Sequence, residues 1–307
     1  MSDLHEILDD YLATRHAMGY KLQHADRRLH EFVGSVLAQG SSWITTKLAL
    51  QWATQPPGAS PKWWGSRLGL VRQFALYAQS FDPRTEVPPH HLLPCSSRRL
   101  TPFIYSRQDI DRLLEAARAQ RDHLSAVTDA TLLGLIAVTG MRVGEAIRLD
   151  RRDFDHERGL LVVRETKFGK SRELALHPST VEALARYARS RDRLLPIQYS
   201  SRLFLSRKGT PLIYANVHRR FHRLIDRAGL ANCSPRRPRI HDLRHTFAVR
   251  TLIDWYRAGV EVEPRLPLLS TYLGHLNPTM TYWYLTAVPE LLLFVSERCQ
   301  RVHEVHV

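Results

Sequence analysis

The sequence predicts a mainly α-helical protein with one small β-sheet, built from a helical N-terminal domain and a mixed α/β C-terminal domain. Apolar residues recur at helical spacing through residues 3–79. A proline-rich stretch without periodicity follows at 81–103, and beyond it helical segments alternate with one β-rich stretch. We therefore expect an N-terminal domain at 1–80, an interdomain linker at 81–103 and a C-terminal domain at 104–307.

Four helices are predicted in the N-terminal domain. The first ends at Gly19 and the second at Gly40, because glycine is typical of helix C-termini. The third lies in "TTKLALQWATQ". The fourth, "SPKWWGSRLGLVRQFALYAQS", has Ser60 as its N-cap and Pro61 at its first helical position.

Basic side chains exceed acidic ones in this chain. There are 44 Lys+Arg against 30 Asp+Glu, which gives a formal net charge of +14. Such an excess predicts a polyanionic partner, most often nucleic acid, and a solvated basic surface is the alternative. Contacts with DNA are predicted for basic residues of the fourth helix, the linker and a later hairpin: Lys62, Arg67, Arg72, Arg98, Arg99 and Lys170.

Nothing in the sequence indicates a membrane or an oxidising compartment. No run of eighteen apolar residues is present, and the acidic start "MSDLHEILDD" is unlike a secretory signal. Three widely separated cysteines, Cys95, Cys233 and Cys299, give neither a disulfide framework nor zinc-ribbon spacing. We expect a cytoplasmic protein without a membrane partner.

The C-terminal domain begins with two predicted helices and a β-hairpin. Ser106 and Asp109 form a capping-box-like start of one helix, and "AVTDATLLGLIAVTG" predicts a buried one. The runs "GLLVVRE" and "SRELALH" flank "TKFGK", which predicts a hairpin with Gly169 in its turn. Further helices are predicted at about 178–195, 214–228, 240–258, 265–273 and 278–300.

Four short stretches of this domain contain residues suited to chemistry on a phosphodiester. They are "TGMRVGEAIRL" with Arg142, the hairpin with Lys167 and Lys170, "HDLRHTF" with His241 and Arg244, and "YLGHLNPTMTYWYL" with His275 and Tyr284. Two guanidiniums can clamp phosphate oxygens, a lysine can protonate a leaving oxygen, and a tyrosine can form a reversible covalent ester. Outside the hairpin, the motifs hold only two carboxylates, Glu145 and Asp242, which is not typical of two-metal phosphoryl transfer or of glycoside hydrolysis.

Each of these residues also has an ordinary structural interpretation. Arg142 can pair with Glu145, the hairpin lysines can be solvated, and His241 can make a structural hydrogen bond. His241 and His245, four residues apart, also have the spacing of a zinc site. The glutamate that follows the first histidine in metalloprotease helices is absent, so we expect no metal.

The motifs "TGMRVGE", "HDLRHTFA" and "LGHLNPTMTYWY" resemble, in order, the three signature regions of the tyrosine recombinases, the phage integrase family. The resemblance covers residues of about 105–300. The helical first hundred residues are similar to the core-binding domain of that family. The segments "RLPLLSTYLGH" and "TYWYL" are similar to the corresponding sequences of members carried by transposons and other mobile elements.

The resemblance implies a role for each motif residue. Arg142 and Arg244 would clamp the phosphate. Glu145 would stabilise the site without binding the phosphate itself. His241 would assist proton movement at the tyrosine, and His275 would hydrogen-bond the phosphate. Lys167 would be the general acid. The usual Gly-Lys-Gly sequence is absent, however, and Lys170 is an alternative candidate for this role.

The resemblance also places the nucleophile at Tyr284, nine residues after His275. Tyr282 lies two positions earlier, which on a helix is a rotation of roughly 200°. If Tyr284 faces the phosphate, we expect Tyr282 to face the protein.

The implied activity is site-specific recombination of double-stranded DNA. The two domains would close around the duplex, and four protomers would exchange strands through 3′-phosphotyrosine linkages and a Holliday junction, without metal or nucleotide cofactor. Two alternatives remain: topoisomerase-like or nuclease cleavage of one duplex, and a non-catalytic DNA-binding regulator. The target site, the direction of the reaction and any need for sibling recombinases or accessory proteins stay open.

Overall fold

The computed structural model describes residues 3–20, 22, 24–55, 57–93, 101–164, 171–275, 277, 279–287 and 291–292. The chain divides into two compact units, Met1–Leu100 and Thr101–Val307, and the division falls within the predicted linker. Within the described part of the chain, no helix is both long enough and apolar enough to cross a bilayer.

The N-terminal unit contains the four predicted helices, α1 to α4. Their bounds are Leu4–Ala17, Ala25–Ala38, Thr46–Thr54 and Pro61–Ala78. The predicted start of α4 is confirmed: Ser60 caps the helix by accepting a hydrogen bond from the Trp63 amide, and Pro61 follows it. Buried apolar side chains from all four helices, among them Leu8 and Phe32, form one core.

The stretch after α4 packs onto this unit. The Glu86 amide donates to the Ile44 carbonyl at 2.8 Å, and the Glu86 carboxylate accepts from the Thr46 amide at 2.8 Å. Glu86 thereby satisfies an amide at the start of α3 that has no partner within the helix. Residues 81–93, inside the predicted linker, are thus attached to the N-terminal unit by hydrogen bonds.

Two of the predicted phosphate contacts are corrected here, because Arg67 and Arg72 are buried. The Arg67 guanidinium lies 3.5 Å from the centre of the Trp52 ring and donates to the Trp52 carbonyl at 2.9 Å. Arg72 donates to the carbonyls of Pro88 and Pro89, both at 2.7 Å. These guanidiniums are held inside the unit by carbonyls and a ring face, so their role is structural.

The remaining predicted phosphate contacts stay predictions. Lys62, in the first turn of α4, is exposed. Arg98 and Arg99 lie outside the described residues.

The C-terminal unit contains eight described α-helices, α5 to α12. Their bounds are Arg107–Arg118, His123–Thr139, Val143–Ala146, Pro178–Leu194, Tyr214–Arg227, Ile240–Arg257, Leu266–Leu273 and Thr279–Ala287. Short 3-10 helices occupy Arg151–Asp153 and Glu263–Arg265. The mainly helical class with a small sheet is therefore confirmed, and four of the helices predicted from about 178 onward are found at their expected places. The last, predicted at about 278–300, is described as a helix over Thr279–Ala287, and most of its remainder lies outside the described residues.

The described strands form a three-stranded antiparallel sheet in the order β1-β2-β3. Their bounds are Phe154–Asp155, Leu160–Val163 and Arg172–Ala175. The pairing of Leu160 with Ala175 and of Val163 with Arg172 confirms the predicted hairpin, whereas β1 was not predicted. Residues 165–170 at the hairpin turn, with Lys167, Gly169 and Lys170, lie outside the described residues.

Two clusters of buried side chains stabilise the C-terminal unit. The larger joins α5, α6, the sheet, α8 and α9, and the smaller joins α10, α11 and α12. Helix α6 is largely buried, as predicted, and packs against α5, α8 and α10. Since α10 also packs against α12, the end of α6, the start of α10 and the last described helix are neighbours.

Candidate active site

The first motif places Arg142 through a sharp turn at Gly140. Gly140 ends α6 in the left-handed region, with φ +61°, and its amide donates to the Ile136 carbonyl at 2.9 Å. A Cβ at this position would lie 2.5 Å from Phe247 Cδ1, which only a displaced ring would permit. The chain therefore leaves α6 abruptly, and Arg142 becomes the N-cap of α7.

Arg142 and Arg172 hold the same buried carboxylate. Arg142 donates from Nη1 to Glu145 Oε1 at 2.8 Å, and Arg172 donates from Nη2 to Glu145 Oε2 at 2.8 Å. Arg172 also donates from Nε to the Tyr272 carbonyl at 2.8 Å. Glu145 is thus fixed between two guanidiniums, and Arg172, the first residue of β3, joins the hairpin to α11.

Glu145 stays ionised in this arrangement. Burial alone would raise the pKa of the Glu145 carboxyl, but hydrogen bonds and charge attraction from Arg172 and Arg142 lower it to about 2. The carboxylate therefore balances one of the two guanidinium charges at any physiological pH. Arg142 remains about one-third exposed, so part of its guanidinium is available to a ligand.

Arg244 is almost fully buried and joins the other two motifs. It donates from Nη1 to the Gly140 carbonyl at 2.8 Å and from Nη2 to the Leu273 carbonyl at 2.9 Å. Burial, followed by repulsion from Arg142, lowers the pKa of Arg244 to about 10, so the guanidinium is still charged at neutral pH. Arg142 adds a bond of 2.9 Å to the Gly274 carbonyl. These main-chain acceptors bring the three sequence motifs together at one place.

His275 follows a second glycine with a positive φ. Gly274, at φ +69°, ends α11, and a Cβ there would lie 2.8 Å from Arg172 Nη1. The His275 ring is oriented through Nδ1, which lies 2.7 Å from the Thr281 hydroxyl in the first turn of α12. The turn thus links the histidine to the helix that contains Tyr284.

Tyr284 points into the site and Tyr282 points away from it. Tyr284 is 2% exposed; its hydroxyl lies 3.0 Å from His245 Nδ1, and its ring stacks at 6.2 Å from His275. Its oxygen is near enough to Arg244 to affect the pKa of that guanidinium. The two tyrosines face different ways, as predicted. The expectation that Tyr282 packs inside the protein is wrong, since it is 42% exposed.

His241 lies at the start of α10, beside the arginines. It is exposed, and its ring is perpendicular to that of His245 at 4.7 Å. Desolvation by the surrounding protein, then the nearby His245 and Arg244, lower the pKa of His241 well below its usual value. His241 is therefore neutral at pH 7 in the DNA-free protein.

The structure brings together the predicted residues Arg142, Glu145, His241, Arg244, His275 and Tyr284. The general-acid candidates, Lys167 and Lys170, lie outside the described residues. Two residues of the site were missed. Arg172 had no motif signal, and His245 was considered only as a zinc ligand. In the described part of the chain, no group of three or more His, Cys, Asp or Glu side chains is placed to hold a metal ion.

A family model places this geometry among known proteins. The model described as the phage integrase family matches residues 104–290, which is more than half of the chain and includes the whole site. The chain belongs to the phage integrase family.

Individual known proteins are similar to this chain over most of its length. A putative integrase/recombinase of Sinorhizobium fredii is 42% identical over 98% of this chain and 98% of its own. The tyrosine recombinase XerD of Caulobacter vibrioides is 29% identical over 78% of this chain and 75% of its own. Among solved structures, the Tn1549 transposon integrase in complex with transposon right end DNA has the same fold. Its TM-score is 0.66 at 19% identity, over 92% of this chain and 94% of that one.

Proposed function

We propose that this phage integrase family member is a tyrosine-type site-specific DNA recombinase in which Tyr284 cleaves and rejoins DNA strands. The observation that supports this best is the convergence of Arg142 and Arg244 on the Tyr284 pocket. It is fixed by hydrogen bonds to the carbonyls of Gly140, Leu273 and Gly274. Two guanidiniums beside a phenol suit a phosphodiester that is attacked by the phenol oxygen.

The charges of the site fit that reaction. Glu145 neutralises part of the arginine charge, and the remaining positive charge attracts the scissile phosphate. As the phosphorus becomes five-coordinate, Arg142 and Arg244 stabilise the added negative charge on the non-bridging oxygens. His275, oriented by Thr281, lies on the Tyr284 side and donates a further hydrogen bond. Guanidinium and imidazole groups here supply the stabilisation that a metal ion gives in other phosphoryl transferases.

Each cleavage conserves the energy of the backbone bond. The Tyr284 oxygen forms a bond to phosphorus, and the bond from phosphorus to the 5′-oxygen breaks. That oxygen takes a proton from the hairpin lysine, Lys167 or its competitor Lys170. The products are a 3′-phosphotyrosine and a free 5′-hydroxyl, and a 5′-hydroxyl from a partner strand then attacks the linkage in reverse. Exchange of two strand pairs passes through a Holliday junction.

Recombination of two duplexes requires an assembly of four protomers. One solved neighbour of the same fold is a lambda integrase tetramer bound to a Holliday junction, with a TM-score of 0.59 at 18% identity. We propose that this chain forms a tetramer on DNA in the cytoplasm. The net charge of +14 favours association with the DNA backbone.

The decisive experiment follows the covalent bond. Duplexes that bind the purified protein are selected from a randomised library. They are then nicked near the cleavage position, so that the 5′-hydroxyl fragment is lost after attack. Wild type is expected to accumulate a covalent adduct, with or without EDTA, whereas Tyr284→Phe binds DNA and forms none. Tyr282→Phe is the matched control and keeps the adduct, because Tyr282 faces solvent.

An adduct in Tyr284→Phe, or loss of the adduct in Tyr282→Phe alone, would refute the assignment. A plasmid with two selected sites separates strand exchange from cleavage and religation within one duplex, since only exchange changes the connectivity of the plasmid.

A further inference from the structure

The hydroxyl of Tyr284 contacts a histidine that the family resemblance did not single out. His245 Nδ1 lies 3.0 Å from that oxygen, within hydrogen-bond distance. Because His245 and Tyr284 come from different helices, α10 and α12, packing of these two helices sets the contact.

The surroundings hold the His245 ring in place. Its centroid lies 5.6 Å from the Trp283 ring and 5.5 Å from the Tyr284 ring, and His241 packs edge-on against it from one turn earlier. The residue is half-buried, so the imidazole is enclosed mainly by aromatic groups. Little rotation is open to a ring packed in this way.

We propose that His245 is the catalytic base that removes the proton from Tyr284 as its oxygen attacks the phosphate. The inference rests on the proposed function. The O–H bond of Tyr284 breaks, its proton moves to His245 Nδ1, and the oxygen's electron pair forms the bond to phosphorus. When the linkage is reversed, His245 returns the proton to Tyr284.

His241 is less suited to this step. It lies at the exposed start of α10, and desolvation together with His245, Arg244 and Arg142 lowers its pKa. Its position near the two arginines instead places it towards a bound phosphate. The two histidines of "HDLRH" therefore have different roles in this proposal. His241 faces the phosphate, and His245 accepts the proton of the Tyr284 hydroxyl.

The test separates the base from the general acid. Single-turnover adduct formation is measured on two selected, nicked duplexes at saturating protein. One has the natural 5′-oxygen at the scissile phosphate, and the other has sulfur in its place. A thiol is far more acidic than an alcohol, so the sulfur leaves without protonation. Loss of the general acid is then rescued by sulfur, but loss of the base that activates Tyr284 is not.

The key variant is His245→Asn. Asparagine can place an amide oxygen near the position of Nδ1 and accept the Tyr284 hydrogen bond, but it cannot take the proton. We expect His245→Asn to slow adduct formation at least about a hundredfold on both substrates. The variant that lacks the general acid, Lys167→Ala or, if Lys170 is the acid, Lys170→Ala, should be slow with oxygen and restored with sulfur. His218→Asn, in a second helical pair of contacting histidines on α9, is the matched control and should stay within about twofold of wild type.

The outcomes are distinct. A wild-type rate for His245→Asn overturns the proposal, and so does rescue of His245→Asn by sulfur, which would place His245 at the leaving group. A wild-type protein that forms no adduct contradicts the proposed function itself. Thermal unfolding and DNA binding of each variant show that the compared rates belong to folded, DNA-bound protein. If His245→Asn unfolds, His245→Gln takes its place and is expected to give the same slow rates, whereas a wild-type rate would overturn the proposal.

Discussion

At the residue scale, Arg172 shows how one side chain can hold another in position. Its guanidinium contacts both Glu145 oxygens and the Tyr272 carbonyl, and it is only 11% exposed. Glu145 in turn holds Arg142. Arg172 therefore helps to position Arg142, the arginine that we propose binds the phosphate, through the carboxylate between them.

Replacing Arg172 should lower the cleavage rate more than the affinity for DNA. A lysine has one ammonium group and cannot span the carboxylate and the carbonyl together. We expect Arg172→Lys to slow single-turnover cleavage by about ten- to a hundredfold, because small displacements of a catalytic group cost this much. The dissociation constant for DNA should change by less than about threefold. Arg186→Lys, at an exposed arginine of α8, is the control and should match wild type.

Cleavage at the wild-type rate in Arg172→Lys would show that Arg142 holds its position without this support. An equal loss in rate and in DNA affinity would instead indicate that the variant has lost its fold. Thermal unfolding of the two lysine variants decides between these cases.

Local sequence patterns predicted the helices and the hairpin, but not which residues of different elements contact each other. The hairpin and the caps at Ser60 and Ser106 follow from neighbouring residues, and so they were predicted correctly. Arg172 lies 27 residues from Glu145 and 100 from Tyr272, so its role depends on tertiary packing. Contacts between residues so far apart in the chain do not produce a periodic pattern in the sequence.

The same reason explains the error at Arg67 and Arg72. Their helical spacing resembles that of an exposed basic face, yet their partners lie 15 and 16 residues away in the chain. The motif residues were predicted because the family resemblance, rather than periodicity, identified them. That route missed His245, for which the resemblance supplied no role.

At the element scale, the end of α6 is a tight left-handed turn that fits only glycine. Gly140 has φ +61°, and a Cβ there would meet Phe247 at 2.5 Å and Leu273 at 2.9 Å. Its carbonyl also holds Arg244. The turn therefore couples the stability of the C-terminal unit to the position of Arg244, one of the two arginines proposed to bind the phosphate.

Gly140→Ala should destabilise the C-terminal unit. The left-handed backbone costs alanine about 1 kcal/mol, and displacement of the Phe247 ring adds about 1–3 kcal/mol. Gly134→Ala is the matched control within the same helix, because its new methyl would meet only Leu114 at 4.0 Å. That change should be stabilising by about 0.5–1 kcal/mol. Urea unfolding of the full chain, followed by tryptophan fluorescence and circular dichroism, measures both. A Gly140→Ala midpoint equal to wild type would show that the turn tolerates a Cβ, which would contradict this account of Gly140.

At the scale of the whole molecule, the basic residues behind the net charge of +14 have two different roles, one in stabilising the fold and one in binding. Some arginines are buried and hold the fold, while other basic side chains are exposed to solvent. Lys62 and Arg67 on α4 illustrate the two classes, five positions apart on one helix. Counting basic residues in a sequence does not separate them.

Alanine substitution at these two positions should therefore act on different properties. Lys62→Ala should weaken DNA binding, reduce the slope of log affinity against log salt by about one, and leave thermal stability unchanged. Arg67→Ala should lower the free energy of unfolding by about 2–4 kcal/mol. It removes the stacking on Trp52 and a buried hydrogen bond, and leaves space around the Arg67 stem. Its salt slope should equal that of wild type below the unfolding temperature. DNA titrations at several salt concentrations, paired with thermal unfolding, measure both properties. A reduced salt slope in Arg67→Ala would mean that the Arg67 guanidinium leaves the Trp52 ring and contacts the phosphate backbone. An unchanged salt slope in Lys62→Ala would mean that α4 is not part of the DNA-binding surface.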